Sequence, residues 1–259
     1  MIVIDRLKLQ KISSTYYYRQ QKLPVLEDIS LNVKAGEFVS LLGPSGSGKS
    51  TILRIAAGLL EPEVGQVLID GLDLTSQPRL VGYMPQRDLL FDWKTLKQNA
   101  ALPLLAAGLS KTEAYTRVEQ MLPVFELQGF SEYYPYQLSG GMRQRAAMLR
   151  TILIESNLML LDEPFASLDA LTRENLQDWL LGVWERFRRS VLFVTHSIDE
   201  AIYLSDRIYV ISERPGRIVR ELSINLPRPR SKAVLVSGVF AEYKRAMISA
   251  LGNSPESEG

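Results

Sequence analysis

The nine residues Gly43-Pro44-Ser45-Gly46-Ser47-Gly48-Lys49-Ser50-Thr51 constrain this chain more than any other stretch. Before them, Glu37 to Leu42 reads as a buried strand; after them, Ser50 to Ala57 reads as a helix stopped at Gly58. The spacing G-x-x-x-x-G-K-[ST] between strand and helix is that of a phosphate-binding loop. Glycines let the backbone curl so that successive N–H groups point inward, and the helix N-terminus adds positive potential. Lys49 is expected to reach the β- and γ-phosphates of a nucleotide, and the Ser50 hydroxyl to ligate Mg²⁺.

A second acidic feature lies far downstream. Leu158 to Leu161 is an unbroken apolar run that ends in Asp162-Glu163-Pro164. Such a run describes a strand buried on both faces, and ligands of open α/β sheets sit at the C-terminal edge of their strands. Asp162 suits a direct or water-mediated Mg²⁺ partner, the Walker B role. Glu163 is placed to orient or deprotonate a water that attacks the γ-phosphate.

Bulk properties narrow the classes. At 259 residues, 46% hydrophobic and 23% charged, the composition is that of a globular protein. Thirty basic against 29 acidic residues leave a formal charge of +1, so no global field favours nucleic acid, and no nucleic-acid partner is expected. The absence of cysteine rules out disulfides, thiolate metal sites and a cysteine nucleophile. No apolar run approaches the ~20 residues of a membrane span, and residues 1–6 carry no signal-peptide pattern. The expected location is the cytoplasm, with any membrane role exercised through a partner.

Hydrophobic periodicity organises the rest. Strands are expected at Ile2–Leu9, Leu31–Val33 and Val64–Asp70, the last closed by an Asp70-Gly71 turn, with another at Val81–Gln86. Helical spacing takes over at Thr95–Leu105, Lys111–Phe125 and Gly141–Ile154, with Ser110 and Glu113 as a capping box. Strands resume at Leu158–Leu161, Ser190–Thr195 and Arg207–Ile211, joined by helices at Thr172–Phe187 and Ile198–Leu204. Alternating strands and helices imply a parallel sheet. Residues 1–230 then form one domain: 1–88 and 155–230 make the core, 89–154 a helical insertion, and 231–259 a C-terminal helix and tail, with 252–259 expected to be disordered.

Leu138-Ser139-Gly140-Gly141-Met142-Arg143-Gln144-Arg145 opens the last helix of that insertion. Beside the phosphate loop and the Asp-Glu pair, this turn completes a set that resembles the ATP-binding subunits of ABC transporters, from Ile2 to Arg230. The resemblance implies an α/β fold, a P-loop (RecA-like) ATPase core with an N-terminal antiparallel β layer and an inserted α-helical subdomain. It implies ATP and Mg²⁺ as cofactors. It also assigns roles: Gln86 is similar to the Q-loop glutamine that contacts Mg²⁺ and the attacking water, and Ser139, Gly140 and Gly141 to the signature loop. Asp169, in Ser167-Leu168-Asp169, is similar to the D-loop aspartate. His196, the only histidine of the chain, matches the switch histidine. Tyr16, Tyr17 and Tyr18 are three candidates for the aromatic platform under adenine, with Tyr16 favoured.

What the resemblance implies about partners follows. In the family, the signature loop of a second ATPase subunit closes over the γ-phosphate, so two ATPs are sandwiched head-to-tail. Motion passes to separate transmembrane permease subunits through a groove near the Q-loop, for which Leu90, Phe91 and Trp93 are the candidate lining. An extracytoplasmic binding protein completes such a system. The Phe91-Asp92-Trp93 segment, Asn99 and Arg214 to Ile218 look like importers of nitrate, sulfonate, taurine or pyrimidine precursors, except that Asp92 stands where a proline is usual. An exporter subunit is the alternative, followed by a non-transport ABC ATPase.

Overall fold

A computed structural model describes residues 5–19, 21–75 and 81–252. The chain begins with strands β1 (Asp5–Tyr18), β2 (Gln21–Lys34) and β3 (Phe38–Leu42), then helix α1 (Lys49–Ala56) and strands β4 (Val64–Ile69) and β5 (Leu72–Asp73). After β6 (Gly82–Met84) come α2 (Leu96–Ala100), α3 (Leu102–Ala106), α4 (Lys111–Met121) and α5 (Gly140–Ile152). Next are β7 (Leu158–Asp162), α6 (Ala170–Phe187), β8 (Ser190–Thr195), α7 (Ile198–Leu204), β9 (Arg207–Ile211), β10 (Ile218–Ser223) and α8 (Gly238–Gly252). Two compact units result, residues 1–79 with 188–259 and residues 80–187. Among the described residues no helix is long and apolar enough to cross a membrane.

In the first unit, β2, β1, β4 and β5 form an antiparallel sheet in that order, the expected β layer. Leu9 lies opposite Leu31 and Ile12 opposite Ile29, all buried. The hairpin is longer than its alternation suggested. Register shifts around Ile12 and Ser14, with left-handed backbone at Lys11 (φ 52°) and Asp28 (φ 50°), break the period that a plain strand would show. Residues 2–4 of the expected first strand lie outside the described residues. Asp70 (φ 54°) and Gly71 (φ 76°) are both left-handed, the backbone of a tight two-residue turn between β4 and β5.

The second sheet of this unit sets β3 between parallel neighbours β8 and β9, with β10 antiparallel beyond β9. Every residue of β3, β8 and β9 is buried, which is why they read as continuous apolar runs. The polar exceptions are paired. The Ser40 and Ser205 hydroxyls bond each other, and Arg207 donates to Asn32 Oδ1, both Glu37 carboxylate oxygens and Glu221 Oε1. Strand β10 escaped the sequence because it is an edge, exposed along Val219, Arg220 and Glu221. Helix α8 packs on α7, with Lys244 Nζ 2.9 Å from Asp199 Oδ2, and is the expected C-terminal helix. Gly252 closes it, and residues 253–259 lie outside the described residues.

The second unit pairs β6 with β7 in parallel and carries α2 to α6. It is broader than the helical block 89–154, because β6, β7 and α6 cluster with those helices. The helix expected over Thr95–Leu105 is two short ones. Pro103 in the first turn of α3 has no N–H to give Asn99, so the ladder restarts at Ala101. Helix α4 likewise stops at Met121, two residues before Pro123, rather than at Phe125. Ser110 and Glu113 form the expected capping box, and their hydrogen bonds hold the Glu113 carboxyl below its usual range.

Removing Arg207 strands the largely buried Glu37 carboxylate. Arg207→Ala is expected to lower unfolding free energy by about 3 kcal/mol or more, measured by urea denaturation.

Candidate active site

The phosphate loop runs from the end of β3 into α1. Gly46 (φ 83°) and Gly48 (φ 97°) take left-handed conformations that a side chain would strain. Gly48 is the N-cap of α1, no side chain caps that helix, and its first turn holds no acidic residue. A helix start with no capping side chain and no acid in its first turn suits an incoming anion. Lys49 is buried, and its ammonium donates to the carbonyl oxygens of Gly43 at 2.9 Å and Pro44 at 2.7 Å. The loop thus folds around its own lysine. Tyr16, 37% exposed, shares a 3.1 Å hydrogen bond with Thr51 Oγ1, which fixes its ring beside the start of α1. Tyr17 is more exposed, and the Tyr18 side chain lies outside the described residues.

Two neighbours brace the loop from below. A Cβ on Gly48 would meet Leu26 Cδ2 at 2.5 Å, and one on Gly216 would meet Ser47 O at 2.2 Å. Gly216 also exchanges backbone hydrogen bonds with Val25 and Glu27, and Arg214 Nη2 donates to Gly46 O at 3.2 Å. The segment Arg214–Arg217 is thus the floor of the phosphate loop, a role that no local sequence pattern announced.

His196 leaves the same sheet edge. Leu42 is paired with Thr195, so Gly43 and His196 follow neighbouring strands at one level. The imidazole is exposed, and the residues flanking it are pinned. Thr195 Oγ1 donates to Glu200 Oε2 at 2.5 Å and accepts from Ser197 N at 3.0 Å, and Ser197 Oγ accepts from Glu200 N to cap α7.

The second unit carries a further set of the expected residues. Met84 is paired with Leu161, so Gln86 and the Asp162-Glu163 pair emerge together at one edge. Asp162 is buried at the end of β7. Glu163 has φ 43°, a left-handed backbone for a glutamate and a local cost of about 1–3 kcal/mol of the kind that clusters at functional sites. Gln86 is exposed and lines a cleft of about 510 Å³ with Arg87, Asp88, Gln144, Ala166 and Ser167.

Beside that cleft stands the Ser-Gly-Gly turn. Ser139 caps α5 by accepting from Met142 N at 3.2 Å, and remains exposed. Cβ atoms on Gly140 and Gly141 would meet Leu168 and Thr172 at 3.2 Å each, so the bare glycines let the turn lie against Asp169's loop. Asp169 in turn accepts from Thr172 N at 3.0 Å, and its hydrogen bonds to Thr172 hold its carboxyl below the usual range.

Near Gln86, Phe91 and Trp93 pack ring against ring at 4.9 Å, 40% and 72% exposed, whereas Leu90 turns into the core. Their turn is stapled by the buried Asn99 carboxamide, which accepts from Phe91 N and donates to the carbonyls of Phe91, Lys94 and Thr95.

The family profile of ABC transporters matches residues 26–166, more than half of the chain. This chain belongs to the ABC transporter ATPases. An aliphatic sulfonates import ATP-binding protein of Bacillus cereus is 42% identical over 238 residues, covering 91% of this chain and 92% of the relative. An uncharacterised ABC transporter ATP-binding protein of Methanocaldococcus jannaschii is 40% identical over 246 residues, 95% of this chain and 91% of that one. Among solved structures, a dimeric bacterial ABC transporter cassette superposes with a TM-score of 0.75 at 32% identity, over 85% of this chain and 100% of its own. A post-hydrolysis dimer of such a cassette, bound to ADP and phosphate, gives 0.74 at 33% identity with the same coverage.

As an ABC ATPase the chain binds ATP, and its loop fits a triphosphate: two left-handed glycines, an uncapped helix start and a buried lysine converge there. The bracing of that ABC phosphate loop by Gly216 is testable. Gly216→Ala pushes on Ser47 O and is expected to weaken ATP binding about tenfold, whereas Gly238→Ala, with open space around it, leaves binding unchanged; fluorescent-nucleotide titration distinguishes them.

Proposed function

We propose that this chain is the ATP-binding subunit of an importer, and that two copies pair head-to-tail to hydrolyse ATP and drive uptake of a small anion through partner permease subunits. The exposed Ser139 turn at the start of a 13-residue helix is the observation that carries the two-copy reading. Its N–H donors and hydroxyl suit a γ-phosphate held by another copy. The import direction and the sulfonate, nitrate or taurine class, with a pyrimidine precursor as the other option, rest on the Bacillus cereus relative's name and on the resemblance of the Phe91–Trp93 segment.

In this reading Tyr16 stacks on adenine, while Gly43 to Thr51 hold the phosphates, with Lys49 on the β- and γ-oxygens. Ser50, Asp162 and Gln86 are the residues suited to hold Mg²⁺, which supplies charge neutralisation at those oxygens when bound. Glu163 and Gln86 orient a water in line with the γ-phosphorus. The water oxygen bonds to phosphorus as the bridge to the β-phosphate breaks, and its proton passes toward Glu163, leaving ADP and phosphate. His196 hydrogen-bonds the transferring group, and Ser139 with the amides of Gly140 and Gly141 stabilises it from the partner copy. Such donors act as an arginine finger does elsewhere, an effect there of ~10³–10⁵ in rate. Asp169 sits beside Ser139 at the pair interface, and the exposed Phe91 and Trp93 receive the permease at the membrane's cytoplasmic face, with an extracytoplasmic binding protein delivering the substrate.

Glu163→Gln is expected to bind ATP and accumulate as a stable dimer on size exclusion, with phosphate release cut at least a hundredfold. Turnover near that of the unaltered chain would sink the assignment. Ser139→Arg should keep ATP affinity yet give no ATP-dependent dimer by the same chromatography.

A further inference from the structure

Two arginines on α5 grip the segment that follows Gln86. Arg150 Nη1 donates to Leu89 O at 2.7 Å and its Nη2 to Asp88 O at 2.5 Å. Two turns earlier on the same helix, Arg143 Nε lies 3.4 Å from Asp88 Oδ2, and its Nη1 donates to Leu138 O at 2.9 Å. Leu138 immediately precedes the exposed Ser139 turn. The gripped segment is itself strained: Leu89 has φ 46°, a left-handed backbone that a leucine rarely adopts. Burial lowers the Arg150 pKa, opposed by Asp88, so the guanidinium is partly withdrawn from water.

The result is a polar link from Asp88, two residues after Gln86, through Arg143 to Leu138, the residue before Ser139. Arg150 fastens the same segment further along α5. The fork matters here, because a planar guanidinium reaches two successive carbonyls at once, which a single ammonium does not.

We propose that Arg143 and Arg150 are positioning residues that lock the Gln86–Leu89 segment to the Ser139 turn as one rigid piece, and thereby couple the two composite ATP sites of the pair. The inference rests on the head-to-tail reading above. In that arrangement Gln86 serves the ATP held by its own copy, while Ser139 serves the ATP held by the other. A displacement of Gln86 when one site fills is then delivered by α5 to the opposite site. Two distinct sites and a shared rigid element are what a coupling free energy between them requires. Without the arginine grip, a displacement of Gln86 at one site would no longer be passed to the Ser139 turn that serves the other.

Arg150→Lys keeps the charge but loses the fork, and Asp88→Asn keeps the shape but loses the ionic partner of Arg143. Phosphate release is measured against ATP concentration for the full chain and both variants, alongside fluorescent-nucleotide affinity and thermal unfolding. The unaltered chain is expected to give a Hill coefficient of about 1.5–2, bounded by two sites. Both variants are expected to fall to about 1, with nucleotide affinity of the isolated copy within about twofold and maximal rate lower by about tenfold. Hill coefficients unchanged in both variants would overturn the coupling role, even if rate and melting temperature dropped together. Should Arg150→Lys fail to fold, Asp88→Asn decides alone. A chain that stays monomeric with ATP and shows no cooperativity refutes the head-to-tail reading, and the coupling with it.

Discussion

The register between neighbouring parallel strands is the constraint on which the candidate site depends. Leu42 opposite Thr195 sends Gly43 and His196 off one edge at one level, and Met84 opposite Leu161 does the same for Gln86 and the Asp162-Glu163 pair. A slip of one residue would turn each side chain to the other face and carry the loop residues out of line. Strands buried along their whole length have little hydrophobic pattern to prevent such a slip, since either face is equally apolar. Between β3 and β9, polar pairs supply what the pattern lacks: Ser40 with Ser205 and Arg207 with Glu37 each satisfy a buried group in the observed register.

Some of the strained backbone lies where chemistry is proposed. Glu163, Leu89, Gly46 and Gly48 all hold left-handed backbone, with Glu163 directly after β7 and Gly48 directly before α1. Glycine adopts that geometry at little steric cost, so Gly46 and Gly48 form a cradle that no Cβ fills. Glutamate and leucine do not, and they persist because the surrounding hydrogen bonds over-determine the loops. Ala166 N bonds Glu163 O at 3.1 Å, closing the turn behind the glutamate. The same logic explains Asn99, whose carboxamide spends four hydrogen bonds shaping the turn that displays Phe91 and Trp93.

Much of the site was legible beforehand because each of its motifs is short and local. A Gly-rich turn before a helix, two acids ending an apolar run and a serine opening a helix are all patterns of adjacent residues. The interior of the β layer was less legible, since bulges near Ile12 and Ser14 interrupt the alternation that would have shown β1 continuing to Tyr18. The break between α2 and α3 was written in Pro103, but helical spacing on both sides of it masked the restart. Leu90 was indistinguishable from its aromatic neighbours, because nothing in a five-residue run states which side chain turns inward.

The sequence by itself determined the family and the candidate residues: a phosphate loop, an acidic strand end, a capped glycine turn and a lone histidine, in an order that names the fold class. Those assignments depend on contacts within a few residues, which the order of side chains already encodes. The tertiary structure decided which distant segments support them. Gly216 lies under Ser47 across 169 positions, and Arg150 holds the carbonyls of Asp88 and Leu89 more than sixty residues away. Such pairings arise from how strands and helices pack in three dimensions, where closeness along the chain no longer says what touches what.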